Sequence, residues 1–557
     1  MTQEWELRAN AKRESVLDKI PEEWRLKDIP DSVSLPNVIN YATDYLSEEE
    51  RRITAMDFGH LASAIASGQI TSRKATESFA HRAAIAHQLT NCLCEFMLES
   101  ALIEADRLDK HLQETGKTVG PLHGVPISLK DQFFVEGYET SVGFVAWLDG
   151  PAKKDDEDGI VPILRAAGAV FHVKTNVPTS VMSIETVNYI IGRTSNPYNR
   201  NCSAGGSSGG EGSLLAQRGA PLGVGTDIGG SIRIPSSLNG VWGLKASPGR
   251  FSPRGKRRTI VGQLSIPSVI GPMGKSLAGL ELFTKVALAA KLWEVDPEVV
   301  ELPCRPFEAP SRLVFGLLLD DGCVAPQPPI RKALEQVADA LCQAGHEVIK
   351  FTPPSHQTAN ELWVSLSLLI QASTMTQCGG NAIHALCEES GEPLINEVGE
   401  IMGKARGDRR VVSAEEVWKM SAERVAYTRT YDQAWNATAN VTESKRPMDA
   451  LLMPNTAAVS WERGGPNYLG YTAVVNVLQY TSLSMPLAKA DGNTQDVRNE
   501  FYSEMDKAVY EAYSPAKFVG MPIGIQMVGR RFQEEKILAI AKIVESIVPN
   551  KTSCDGL

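Results

Sequence analysis

The chain has 557 residues, 43% hydrophobic and 22% charged, with a formal charge of −10. That acidic balance disfavours general nucleic-acid binding, which usually needs a basic face, and no window approaches the roughly 18 consecutive apolar residues of a membrane-spanning helix. Nine cysteines are dispersed without a C-x-x-C pair, the pattern of reduced thiols and not of a disulfide framework, so a soluble, cytoplasmic protein with a large core is expected.

Residues 1–56 are polar. The opening MTQEWELRANAKRESVLDKI carries Glu4 and Glu6 and no apolar run, so it does not read as a secretory signal. Helical turns interrupted near Pro21, Pro30 and Pro36 are expected to form an arm against the main body. From Asp57 the pattern sharpens: Phe58, Leu61, Ala62 and Ile65 recur at helix spacing between a capping Asp and Gly68. A second helix is predicted over 72–88, and a third from Ser100, with Leu102, Ala105, Leu108 and Leu112 on one side and Gly116 as its stop.

Strands then alternate with helices. VPISL (125–129) is followed by IVPILRAAG before AVFHVKT (159–175), and SLLAQRG precedes APLGVGTD. Such alternation predicts an α/β fold with a mostly parallel sheet buried by helices on both faces. The basic run RFSPRGKRR (250–258) reads as a solvated surface loop, with contact to a phosphate or carboxylate as the alternative. Residues 290–445 are more helical and less regular, the expected place for substrate selection. DALLMPN (449–455) and MPIGIQMVG (521–529) read as buried strands, and the last helix sets Ile537, Ile540, Ala541 and Val544 on one face. With no repeat and no low-complexity linker, 57–548 is expected to be one large domain, with 549–557 as a tail. The closing CDGL lacks the aliphatic pair of a prenylation site.

The stretch SAGGSSGGEGSLLAQRGAPLGVGTDIGGSIR (203–233) holds two serine-centred glycine clusters. Glycine is costly to order, so its concentration implies unusual backbone angles or close approach. A flexible linker would not run straight into a helix pattern and a strand pattern. The phosphate-binding loop fails on spacing, because five residues separate Gly249 from Gly255. The dinucleotide fingerprint fails too, with three residues between Gly225 and Gly229 where it has two. A nucleophile beside an oxyanion hole fits better, since backbone free of side chains can turn successive N–H groups toward a developing negative charge. Asp227-Ile228-Gly229-Gly230-Ser231 has that form. A serine also needs a base. His123 is one candidate, although it reads better as a packed loop residue; Lys130, at the end of an apolar strand, is the other.

Three segments in register, GVPISLKDQF (124–133), SAGGSSGGEGS (203–213) and GTDIGGSIRIPSSLNGVWGLKAS (225–247), resemble the amidase signature family, as does the closing GMPIGIQMVGR. The likeness runs from about 57 to 548 and is strongest to the fungal acetamidase and general amidase branch, in NPYNRN (196–201) and the GGSSGGEG form of the loop. It implies a single domain with a mixed central β-sheet covered by helices on both faces, and hydrolysis of a carboxylic acid amide through a seryl acyl-enzyme. It further implies Ser231 as nucleophile, Ser207 as bridging serine, often after a cis peptide, and Lys130 as ultimate base. The backbone of Ile228, Gly229, Gly230 and Ser231 would form the oxyanion hole, and Val181 would line the substrate site. Neither a metal nor an organic cofactor is implied; a small-molecule amide is the expected partner, and homodimers are the family habit. GPMGKS (271–276) departs from the family, which more often has Ala-Arg at Gly274-Lys275.

Physical chemistry adds two expectations. An ordinary lysine is neutral only about once in 2,500 molecules at pH 7, a cost of about 4.6 kcal/mol for use as a base, so Lys130 should be dry and Asp131 should point elsewhere. Ser208-Gly209-Gly210-Glu211 reads as a capping box, making Ser208 structural. An esterase or a fatty acid amide hydrolase would use the same residues, and a catalytically inactive scaffold is the alternative of another class.

Overall fold

The computed structural model describes residues 3–259, 262–369, 380–402 and 413–548; the expected tail, 549–557, lies outside them. Among the described residues eleven strands form the main sheet: β1 (Leu93–Phe96), β2 (Pro126–Lys130), β3 (Val170–Thr175), β4 (Leu222–Asp227), β5 (Trp242–Lys245), β6 (Val269–Gly274), β7 (Val314–Leu317), β8 (Glu347–Lys350), β9 (Ala450–Pro454), β10 (Thr481–Lys489) and β11 (Pro522–Gly529). Their spatial order is β1-β3-β2-β4-β6-β5-β10-β11-β9-β7-β8.

Only four of the ten neighbouring pairs are parallel, in the two blocks β3-β2-β4 and β9-β7-β8. The sheet is therefore mixed, and the expectation of a mostly parallel one is corrected: WGLK and VIGPMG, rich in Gly and Pro, carry no clear strand pattern, yet they supply the antiparallel centre. Every residue of β2 and β4 is buried. Strands covered on both faces lose their polar alternation, which is why VPISL and PLGVGTD read as continuous apolar runs.

The helices that matter below are α1 (Glu4–Asp18), α2 (Ser72–Thr90), α3 (Leu98–Thr115), α4 (Gly209–Ala216), α5 (Arg233–Leu238), α6 (His356–Trp363), α7 (Gly470–Val477) and α8 (Glu534–Ile547). Gly116 ends α3 in the left-handed conformation that glycine adopts without strain, with its N–H on Leu112 O. α8 turns Ile537, Ile540, Ala541 and Val544 into the core. Among the described residues no helix is long and apolar enough to cross a membrane.

The basic run is not a solvated loop. Arg250 is buried and bonded to Leu302 O and Glu535, Arg257 makes a two-pronged contact with Asp149 (2.9 and 2.6 Å), and Lys256 is only 6% exposed. Its partners lie far away in sequence, so charge density alone could not reveal them.

The N-terminal arm is tied down by charge. Lys12 on α1 is buried with its amine on Glu95 and 2.8 Å from Glu139, while Lys19 reaches Glu95 from a more exposed position (2.9 Å). Removing the buried cation leaves the Glu95 carboxylate, itself out of water, with Lys19 alone and takes a partner from Glu139. Lys12→Met should therefore lower stability by about 3 kcal/mol and Lys19→Met by less than about 1 kcal/mol, read as shifts of the urea midpoint.

Candidate active site

β2 and β4 run parallel side by side and present their carboxyl ends together, where open α/β sheets place their sites. Lys130 is the last residue of β2 and is completely buried. Its Nζ donates to Ser207 Oγ at 2.7 Å and to Thr226 Oγ1, on β4, at 2.9 Å. Thr226 in turn donates to Gln132 Oε1 (2.6 Å). Burial pushes the Lys130 amine well below the usual lysine range, with Lys256 acting in the same direction and Asp227 and Glu211 opposing it. Asp131 points away: it pairs with Lys174 Nζ (3.0 Å) and accepts from Ser141 Oγ and the Val142 N–H.

Ser207 lies in the turn leading to α4, after a cis Gly206-Ser207 peptide. A side chain at Gly206 would lie 2.6 Å from Ser183 O, so only glycine lets the turn rest on the 183–184 backbone. The next residue ties the two clusters together, its N–H donating to Ser231 O (3.1 Å). The capping box fails. Ser208 has φ −94° and ψ 39° and makes no capping bond; its hydroxyl faces Thr226 O at 3.4 Å. Glu211 turns into the sheet instead and accepts from Ser128 (2.6 Å) and Thr175 (3.0 Å), and burial pushes its carboxyl up to about 7. The S-x-x-E pattern presupposes a solvated first turn, whereas this helix starts inside the protein.

The second cluster is held from both sides. Asp227 accepts from the Gly230 and Ile232 N–H groups (2.9 and 3.1 Å) and from two nitrogens of Arg233 (3.1 and 3.0 Å). Burial would raise its carboxyl, yet the guanidinium and the hydrogen bonds hold it well below the carboxylate range. Arg233 also donates to Thr472 O (3.0 Å), Gln526 Oε1 (3.1 Å) and Asn476 Oδ1 (2.5 Å). On the other side, the Ile228 carbonyl accepts from Trp363 Nε1 (3.1 Å) and the Gly229 carbonyl from Thr472 Oγ1 (2.6 Å). Within a trans peptide the N–H points opposite to the C=O, so these anchors fix the directions of the Gly229 and Gly230 N–H groups. Gly230 needs its φ of +137°, and a Cβ there would meet Thr472 Oγ1 at 2.4 Å.

The four amides of the second cluster differ in their partners. The Gly230 N–H is committed to Asp227, and among the described residues no acceptor takes the N–H of Ile228, Gly229 or Ser231.

Ser231 opens onto a cleft of about 690 Å³, walled by Val181, Met182, Ile184, Ile228, Trp363 and Leu469, with Glu397, Arg463 and Asn467 at its polar part. Glu397 and Arg463 bridge across it at 2.8 Å. Ser180 and Val181 both adopt positive φ (63° and 53°), rare for a β-branched residue and frequent where a site dictates the backbone. His123 is buried with Nδ1 accepting the Val119 N–H (3.2 Å), a packing role. Among the described residues no group of His, Cys, Asp and Glu could hold a metal ion.

Trp363 and Thr472 escaped the sequence reading, since neither lies near a motif. Arg233 was legible in principle, as a charge in the apolar run six residues after Asp227.

A family model described as Amidase matches residues 74–538. The chain is 39% identical to an acetamidase of Emericella nidulans, over 99% of both chains, and 39% identical to an acetamidase of Aspergillus oryzae, over 98% of this chain and 99% of that one. Among solved structures, a fatty acid amide hydrolase superposes with a TM-score of 0.91 at 31% identity, covering 99% of this chain and 96% of that one.

The packing separates two neighbouring polar residues energetically. Arg233→Met would leave Asp227 charged and buried, at a cost of about 3–5 kcal/mol. Ser208→Ala removes one long hydrogen bond and should stay within about 0.5 kcal/mol of wild type. Urea unfolding of both variants checks the contrast.

Proposed function

The chain belongs to the amidase family and is an amide-hydrolysing enzyme, and from that premise we propose that it works through a Ser231–Ser207–Lys130 relay and a seryl acyl-enzyme. The observation that carries this reading is the 2.7 Å contact between a fully buried lysine amine and Ser207 Oγ, one residue before the N–H that holds Ser231.

Neutral Lys130 takes the Ser207 proton as Ser207 takes that of Ser231. The Ser231 oxygen attacks the amide carbon, and the carbonyl electron pair moves onto oxygen, where the N–H groups of Ile228, Gly229 and Ser231 receive it. When the pair returns, the C–N bond breaks and the leaving nitrogen collects the proton from Lys130 by way of Ser207. Water repeats the attack on the ester carbon, passing its proton along the same path, and the acid departs as Ser231 regains its hydrogen. Val181 and Trp363 border the substrate.

The kinship with two acetamidases supports a short aliphatic amide as substrate. A second reading, a longer acyl chain, draws on the size of the cleft and on the likeness to a fatty acid amide hydrolase. Esters would follow the same path.

Labelling by a fluorophosphonate probe tests the nucleophile: wild type should be modified at Ser231 and Ser231→Ala should not, and an unlabelled, folded wild type would overturn the reading. Turnover should fall by about 10⁴-fold or more in Ser231→Ala and by about 10²–10⁴-fold in Ser207→Ala, measured on amides of graded acyl length. Because the deprotonated amine is the active form, kcat/KM should fall as pH drops through the Lys130 pKa, at a pH well below the ordinary lysine value of 10.5.

A further inference from the structure

Most cations of the basic run 250–258 have carboxylate partners: Arg250 has Glu535, Arg254 has Asp158 (2.6 Å) and Arg257 has Asp149. Lys256 and Arg258 differ. Among the described residues neither forms an ion pair, and the Lys256 amine has only long contacts to Ser268, 3.2 Å to the carbonyl and 3.4 Å to the hydroxyl. A buried cation so poorly matched is costly, and burial pushes Lys256 down to about 7.

Both residues line a second, small cavity of about 60 Å³ behind the oxyanion loop. Two further donors line it unused: Ser180 Oγ, in a residue 1% exposed, and Gln263 Nε2 are buried without a hydrogen-bond partner. Val181, Met182 and Ile228 line both this pocket and the main cleft, so the two spaces adjoin at the reacting end of the site. The volume suits about four water-sized groups, and the unpaired side chains facing it offer donors, two of them cationic.

We propose that this pocket binds a carboxylate, carried by the far end of the substrate's acyl group or belonging to the free acid that hydrolysis releases. The acid arises at Ser231 under the reading above, on which the proposal rests for its source. A carboxylate gives Lys256 the charged acceptor that it lacks among the described residues and leaves its second oxygen for Ser180 or Gln263. Phosphate fits less well, because its double charge and four oxygens exceed what a cavity with an apolar side at Val181, Ile228 and Ile266 can satisfy.

Calorimetric binding to the full chain carrying Ser231→Ala, which cannot turn over, tests this without relying on catalysis. The probes are succinamate, its neutral counterpart butyramide, and butyrate. Succinamate binding about tenfold more tightly than butyramide, with the difference lost on adding Lys256→Met or Gln263→Leu, places the carboxylate on the substrate; tenfold is what one charge-assisted hydrogen bond supplies. Butyrate binding that both substitutions weaken, with succinamate no tighter than butyramide, places it on the product acid. Carboxylate binding that is absent, or unchanged in both variants, overturns the proposal. Two substitutions at different positions guard against a folding defect in either, checked by circular dichroism. Failure of the catalytic reading shows itself separately, as loss of fluorophosphonate labelling in the wild-type chain.

Discussion

Burial of the Lys130 amine between Ser207 and Thr226 is the constraint that the rest of the site obeys, because a lysine can draw off a proton only where its own cation is disfavoured. Asp227 and Glu211 lie close enough to oppose that condition and Asp131 is next in sequence, yet each is otherwise engaged. Asp131 is turned onto Lys174; Asp227 is matched by Arg233; Glu211 is bonded to two hydroxyls, with its proton affinity raised by burial. The arrangement holds the lysine in an environment that is polar in its contacts and poor in free negative charge.

One of these carboxylates, Asp227, also shapes the backbone opposite. Asp227 holds the loop from inside through the Gly230 and Ile232 amides, while Trp363 and Thr472 hold its carbonyls from outside. A glycine pair gives the loop its bend, and fixed neighbours remove the freedom that glycine brings. Preorganisation here results from four hydrogen bonds around three peptide units.

Much of this was legible in the sequence, and the gaps have physical causes. Helix spacing at Phe58, Leu61 and Ile65 and the apolar runs of β2, β4, β9 and β11 are local signals, and the helices and strands stand where those signals put them. Lys130, Ser207 and Ser231 were named from the resemblance to the amidase signature family, and the fold brings Lys130 and Ser207 into contact. Ser208 was misread because a local pattern says nothing of solvent, and at Glu211 there is none. The basic run was misread because its partners, Asp149 and Glu535, are more than a hundred residues away. Trp363 and Thr472 left no trace, since a single indole or hydroxyl becomes informative only when another part of the chain is brought to it.

Strand β11, near the end of the described chain, lies between β10 and β9 inside the sheet, and its Gln526 supports Arg233. The loop bearing Ser231 thus depends on residues made almost three hundred positions later. During synthesis Ser231 leaves the ribosome long before this support does, and the arrangement around it can form only once β11 has emerged. Contacts this distant make for slow folding.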